Sequence, residues 1–205
     1  GNSVAIVGAY KDDGVDNSKI DAGAAYTYRD TGVGWTLDTA VLRPADQNRG
    51  DYFGYSVSIS GTPGNSVAIV GAYNDDGATN NKMNAGAAYI YNDTGTGWML
   101  DAILRPSELE AWDTFGSSVS ISGTPGNSTT IVGAYGDDGD NNQLSFAGAA
   151  YTYQDTGTGW VLDVVLPPPD LDTIDYFGYS VSISGTPGNS VAIVGAYKDD
   201  GVDNS

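Results

Sequence analysis

Short stretches of the chain alternate large apolar residues with serine, which is the period-two pattern of a β-strand with one buried face. Residues 53–60, FGYSVSIS, show this alternation. Residues 66–73, SVAIVGAY, are almost all apolar and predict a strand covered on both faces. Residues 85–92 and 98–106 read as a third and a fourth strand, and glycine- and proline-containing turns separate the strands. Because no stretch repeats its apolar residues about every 3.6 positions, we predict an all-β protein.

The four strands recur along the chain as an internal repeat. The string GNS begins at Gly1, Gly64, Gly126 and Gly188, so the repeat is 62 or 63 residues long. Four-stranded antiparallel sheets repeated around an axis are the blades of a β-propeller, an arrangement that leaves only short sheet edges. We therefore predict tandem four-stranded antiparallel blades of the β-propeller type. The alternative is an open stack or filament of the same blades.

The repeat divides the chain into four predicted units, each of which is a blade or part of one. They are residues 1–50, a blade without its first strand; residues 51–112, a full blade; residues 113–174, a second full blade; and residues 175–205, the first two strands of a further blade. The last unit begins the next three-blade period. Since propeller rings usually have about four to eight blades, these units are too few to close a ring alone.

A longer period is visible at the two ends of the sequence. Residues 188–205 repeat residues 1–18 at all 18 positions, whereas residues 64–81 match residues 1–18 at only 14. The pattern predicts a window of a longer tandem array, or a self-assembling filament in which residues 175–187 of one chain supply the strand missing before Gly1 of the next. The expected partner is therefore the chain itself.

The composition excludes several functional classes. The chain has 26 acidic and 8 basic residues, a net charge of −18, and neither histidine nor cysteine. It therefore has no Ser-His-Asp or Cys-His nucleophile and no ordinary zinc site. Its charge repels phosphate backbones, so we expect no nucleic-acid partner. No apolar run approaches about 18 residues, so no membrane insertion is predicted.

At this point the motifs carry a family resemblance. FGYSVSIS, then AIVGAYNDDG, then AGAAYIYN resembles the FG-GAP repeat, the blade unit of integrin α-chain propellers and of many bacterial and archaeal surface proteins. The resemblance implies an extracellular or cell-surface setting and a role in adhesion, ligand binding or surface structure. Together with the repeat, it leads us to expect a non-catalytic structural or adhesive module without catalytic residues. Glycans or another surface protein are further expected partners.

Calcium is the only cofactor that we predict. The resemblance implies a calcium loop between the first and second strands, but residues 60–66 at that place contain no carboxylate. The acidic loop after the second strand is the better candidate, because Ca²⁺ prefers oxygen ligands. In the alternative interpretation, these aspartates accept backbone N–H bonds within the loop. The candidates are Asp12, Asp13, Asp16, Asp75, Asp76, Asp137, Asp138, Asp140, Asp199 and Asp200.

Two further sets of residues repeat with the blades. Asp51, Asp113 and Asp175 each precede Phe-Gly by two positions, and we expect them to bond turn amides. Trp35, Trp98 and Trp160 each open the fourth strand. These tryptophans either pack between neighbouring blades or stack on sugars. The second possibility is the alternative function, a carbohydrate-binding propeller lectin with its sites between blades.

Overall fold

The computed structural model of the chain describes residues 3–139, 142–166 and 172–201. These residues form β-strands joined by turns and loops, and no helix among them is long and apolar enough to cross a membrane. The strands lie in antiparallel sheets of three, four, four and two strands, which we call blades 1 to 4. The predicted all-β fold of tandem four-stranded antiparallel sheets is confirmed.

The strands of each blade follow one another in chain order across the sheet. Blade 1 contains β1 (Val4–Ala9), β2 (Ala24–Asp30) and β3 (Trp35–Leu42). Blade 2 contains β4 (Ser56–Thr62), β5 (Asn65–Ala72), β6 (Ala87–Asp93) and β7 (Trp98–Leu104). Blade 3 contains β8 (Ser118–Thr124), β9 (Asn127–Ala134), β10 (Ala149–Asp155) and β11 (Trp160–Leu166). Blade 4 contains β12 (Phe177–Thr186) and β13 (Asn189–Ala196).

The first strand of blade 2 begins at Ser56, three residues later than the sequence pattern predicts. The reason is that Phe53 does not pair within its own blade. It forms an isolated parallel bridge with Gly23 of blade 1, and its N–H donates to the Ala22 carbonyl at 2.9 Å. The Phe-Gly pair is therefore a contact between blades.

The core lies between the blades. Strand β5 is buried along its length except at Asn65, whereas β7 at the outer edge is mostly exposed. Each interface has its own apolar cluster, and Phe53 and Phe115 are fully buried in two of them. Phe115 meets the ring of Tyr151 edge to face, with centroids 5.2 Å apart. A blade thus buries its apolar residues only with a neighbour beside it.

Glycines allow the backbones of neighbouring blades to touch. A Cβ atom added to Gly71 at the end of β5 would lie 1.9 Å from the carbonyl oxygen of Gly116, which follows Phe115. Gly8 and Gly133 face Gly54 and Gly178 at 1.9 and 2.0 Å in the same way. Only glycine permits this approach. We call this repeated contact the glycine lock.

Serine hydroxyls join the first strands of neighbouring blades. The Oγ atoms of β4 accept hydrogen bonds from backbone N–H groups of β8, at 3.0 to 3.2 Å. The donor–acceptor pairs are Val119–Ser56, Ile121–Ser58 and Gly123–Ser60. Ser120 and Ser122 of β8 accept in the same way from β12. The small serine side chain therefore lets one inner strand lie against the next along its length.

Candidate functional site

The first aspartate of each acidic pair joins the loop to the third strand of its blade. Asp75 Oδ1 accepts from the Gly77 N–H at 2.8 Å, which is an Asx turn. Its Oδ2 accepts from the hydroxyl of Tyr89 at 2.7 Å. Asp12 and Asp137 make the equivalent bonds in blades 1 and 3.

The second aspartate of each pair closes the loop. Asp76 Oδ1 accepts from the Asn84 N–H at 2.8 Å, and the equivalent bonds of Asp13 and Asp138 are 2.9 and 2.8 Å long. Asp16 and Asp199 each accept a backbone N–H two residues ahead, and Asp200 is exposed. Asp140 lies outside the described residues. Within the described residues, no three acidic side chains are grouped so as to hold a metal ion, and calcium binding here stays a prediction.

Arginines that the sequence analysis did not single out complete these clusters. Arg105 bonds Asp75 at 2.7 Å and Asp46 at 2.9 Å, and Arg43 bonds Asp12 at 2.8 Å. Burial alone would raise the pKa of Asp12, but the hydrogen bonds from Arg43, Tyr26 and Gly14 outweigh it and lower that pKa. The available signal was the Arg-Pro pair that follows the fourth strand in the first two units.

The aspartates before Phe-Gly are buried and bond the turn that precedes them. Asp51 Oδ2 accepts from the Asn48 N–H at 2.6 Å, and Asp113 and Asp175 make the equivalent bonds at 2.7 Å. Burial raises the pKa of Asp51 and of Asp113 to about 7. Nearby carboxylates add to both shifts, because like charges disfavour ionisation.

The predicted tryptophan sites lie in different environments. Trp98 Nε1 donates to Asp38 of blade 1 at 3.0 Å, and Trp160 Nε1 donates to Asp101 of blade 2 at 2.9 Å. Both rings also pack against the apolar clusters between the blades. Trp35 is 54% exposed. Trp98 and Trp160 are thus held between blades, whereas Trp35, the remaining member of the predicted set, has an exposed ring.

A row of tyrosines at one end of the blades was not predicted. Its rings come from the end of each GAY segment and from both sides of Phe-Gly. Neighbouring ring centroids lie 4.4 to 5.8 Å apart, in edge-to-face, tilted and stacked arrangements. We call it the tyrosine face: Tyr10, Tyr52, Tyr55, Tyr73, Tyr135, Tyr176, Tyr179 and Tyr197. The signal for it was the tyrosine that closes all four GAY segments.

The tyrosine face is partly exposed and carries cations. Lys198 Nζ lies 4.8 Å from the ring centroid of Tyr176, within the range of a cation–π contact. Burial, with small additions from Tyr135 and Tyr55, raises the pKa of Tyr73 to about 12, so this hydroxyl keeps its proton at neutral pH. Hydroxyl groups and ring edges make up a surface suited to stacking and hydrogen bonding.

The comparison with known families agrees with this geometry. The FG-GAP repeat family matches the chain three times, over residues 35–91, 98–153 and 160–205. The chain belongs to the FG-GAP repeat family. No curated protein matches it significantly.

Each FG-GAP match begins at the tryptophan that opens a fourth strand and runs into the next blade. The matched stretch therefore includes an interface between blades. In the FG-GAP repeats of this chain, the Phe-Gly of one blade meets the Gly-Ala of the blade before it through the glycine lock. The two halves of the motif thus meet across blades, and this contact holds neighbouring blades together.

Proposed function

We propose that the chain is a non-catalytic structural or adhesive module of an extracellular surface, and that it associates with copies of itself into a longer array of blades. The glycine lock carries this proposal. The same backbone contact joins blade 1 to 2, blade 2 to 3 and blade 3 to 4. A contact that repeats with the same geometry can propagate if the rotation between units does not close a ring.

The polar side chains support a structural role. The aspartates of the acidic loops bond loop amides, tyrosine hydroxyls and arginines of the same fold. The serines of the inner strands bond the next blade. FG-GAP repeats are typical of extracellular adhesion modules, which favours a surface location.

Electron microscopy of the purified chain at high protein concentration tests the proposal. We expect unbranched fibres whose axial repeat corresponds to a few blades. Single chains at every concentration would overturn the proposed self-association, and closed rings of a fixed blade number would replace it with a closed propeller.

Carbohydrate binding is a second candidate, and the tyrosine face favours it. Its rings are partly exposed, and aromatic rings with hydroxyl groups stack on sugars and hydrogen-bond to them. Titration with a panel of oligosaccharides, followed by intrinsic fluorescence, tests this function. The Tyr73→Ala variant should weaken any binding at this face, whereas loss of binding in Trp35→Ala would instead assign the site to the exposed tryptophan.

A further inference from the structure

The tyrosine face is interrupted where blade 2 meets blade 3. Tyr10 of blade 1 packs against two rings of the next blade, Tyr52 and Tyr55, whose centroids are 5.5 and 5.4 Å away. At the junction of blades 3 and 4, the equivalent centroid distances from Tyr135 are 5.8 and 5.6 Å. The tyrosine at this place in blade 2 is Tyr73, and the next blade carries no tyrosine at either partner position.

Blade 3 has small side chains where the partner rings of Tyr73 would lie. Thr114 and Ser117 have the places that Tyr52 and Tyr55 have in blade 2. Each is 6% exposed, and their hydroxyls donate to backbone carbonyl oxygens at 2.6 and 3.2 Å. These two residues therefore form a floor without rings above it. We call the place of the two missing rings, beside Tyr73, the junction gap.

A tryptophan at the edge of the junction gap has an unfavourable backbone conformation. Trp112 has a φ of +78°, in the left-handed region, where the equivalent residue of blade 2 is Gly50 with a φ of +82°. Its ring is 52% exposed, so burial offsets only part of the conformational cost. Both blades at this junction have all four strands, so this exposure does not come from a missing strand. A strained residue that gains little from packing points to a role in binding.

The backbone of Trp112 is fixed on several sides. Its N–H donates to the Met83 carbonyl oxygen at 2.8 Å. Its own carbonyl oxygen lies against Gly136, where an added Cβ atom would be 2.1 Å away. The Asp113 carboxylate closes the turn by accepting the Glu110 N–H at 2.7 Å. Because Gly136 directly follows a tyrosine of the face, Trp112 is held beside that face, and a side chain on a fixed backbone loses less freedom when it binds a ligand.

We propose that the junction gap binds one ring of a neutral oligosaccharide, which stacks on Tyr73 in place of the missing tyrosine rings and has Trp112 at its edge. The inference rests on the carbohydrate binding proposed above, and it names the site and the class of sugar. Aromatic rings supply the stacking surface, and tyrosine hydroxyls supply hydrogen bonds. Glu110 lies two residues from Trp112 and the chain carries a net charge of −18, so sulfated or carboxylated sugars are repelled.

Isothermal titration calorimetry with neutral gluco-, manno- and galacto-oligosaccharides tests the site. We expect one binding site per chain, because the partner rings are missing at one of the three junctions. Trp112→Gly should weaken binding at least about tenfold, and it should remain folded because glycine has this place in blade 2. Ile174→Gly is the matched control, since Ile174 has the same place in blade 4, a φ of +70° and 46% exposure.

A second variant fills the junction gap. Thr114→Tyr combined with Ser117→Tyr restores the pair of rings found in blades 2 and 4, so it should prevent binding. Melting curves check that each variant is folded, and Trp112→Gly decides the question if the double variant does not fold. A sulfated form of the bound sugar should bind at least about tenfold more weakly at low salt. Equal or tighter binding of the sulfated form would overturn the assignment to neutral sugars.

The outcomes separate this site from the proposed carbohydrate binding. If wild type binds a sugar and the folded variants bind it equally well, the junction gap is overturned and carbohydrate binding remains. Three equivalent sites per chain would also overturn the junction gap, since binding would then not need the missing rings. If wild type binds none of the sugars, both the site and the carbohydrate function are overturned, and the proposed self-association is unaffected.

Discussion

The aspartates before Phe-Gly are buried in a protein that already carries a net charge of −18. Burial raises the pKa of Asp51 and Asp113 from 3.8 to about 7. Between these two values, the folded chain holds protons that the unfolded chain releases. The free energy of unfolding therefore falls as pH rises from about 4 to about 7, by up to roughly 4 kcal/mol for each residue.

Asp51→Asn and Asp113→Asn should reduce this fall, because asparagine does not titrate and keeps an oxygen for the turn N–H bond. Urea unfolding at several pH values between about 4 and 8 measures the slope. Asp16→Asn is the control, since Asp16 is exposed and lies in a loop. If a variant with both substitutions kept the wild-type slope of unfolding free energy against pH, this result would contradict the buried-carboxylate explanation. Asp12 and Asp93, whose pKa values are lowered, give stability that is lost only below about pH 4.

Gly71 should be far less tolerant of substitution than Gly195, although both lie in the segment IVGAY. An alanine Cβ at Gly71 would lie 1.9 Å from the Gly116 carbonyl oxygen, which belongs to backbone and cannot rotate away. At Gly195 the nearest atom is the Ser180 hydroxyl at 2.6 Å, which can rotate. We expect Gly71→Ala to lower the free energy of unfolding by about 3 kcal/mol or more, and Gly195→Ala to lower it by less than about 1 kcal/mol.

Thermal unfolding of the two glycine variants measures this difference. Equal losses of stability would mean that the glycine lock does not hold the blades together, and that both glycines act only within their own strands.

At the scale of strands, serine hydroxyls join the first strands of neighbouring blades through hydrogen bonds. Ser58 Oγ accepts the Ile121 N–H at 3.2 Å across the interface between blades 2 and 3. Ser58→Ala removes that acceptor and leaves the Ile121 N–H without a partner. The free energy of unfolding should therefore fall by about 1 to 3 kcal/mol.

Ser182→Ala is the matched control for Ser58→Ala. Ser182 has the same place in β12, but it is exposed. At a protein concentration too low for association, its substitution should change the unfolding free energy by less than about 0.5 kcal/mol. Amide hydrogen exchange should also show faster exchange at Ile121 in Ser58→Ala. Unchanged protection there would contradict the assigned bond.

The strands could be predicted from the sequence because their evidence is local. The Ser–Val–Ser–Ile alternation of β4 and the apolar run of β5 each lie within eight residues. The start of β4 was wrong by three residues, because Phe53 pairs with blade 1 and not with its own sheet. In a repeat, every contact has a second candidate one period away, and the sequence does not show that Gly71 bonds Gly54 of its own blade and also lies against Gly116 of the next.

The candidate site was predicted less well for a related reason. The aspartate pairs were found as a repeated motif, but their partners depend on strand register. Asp75 meets Tyr89 only because β5 pairs with β6 in the observed register, and Arg105 reaches Asp75 from the end of β7. The tyrosine face arises from residues of all four blades, so no single repeat displays it.

At the scale of the whole molecule, the net charge of −18 opposes compaction. Added NaCl screens repulsion between exposed carboxylates over about 10 Å at 0.1 M. We therefore expect the melting temperature to rise between low and moderate salt. Most of the ion pairs are partly buried, so salt should weaken their attraction less than it weakens the repulsion between exposed carboxylates. A fall in melting temperature with salt would show instead that the ion pairs dominate.

Calcium should add nothing beyond this screening if the acidic loops are hydrogen-bonded turns. Both carboxylate oxygens of Asp75 are already engaged, and Asp76 bonds the Asn84 N–H across the loop. Melting curves in CaCl₂, with and without EGTA, and in NaCl at equal ionic strength separate screening from binding, because a ligand bound only by the folded state raises its stability. A rise specific to calcium and reversed by EGTA would contradict the turn interpretation. Asp76→Asn would then test whether the loop holds the ion, because asparagine keeps the turn bond while removing the charge.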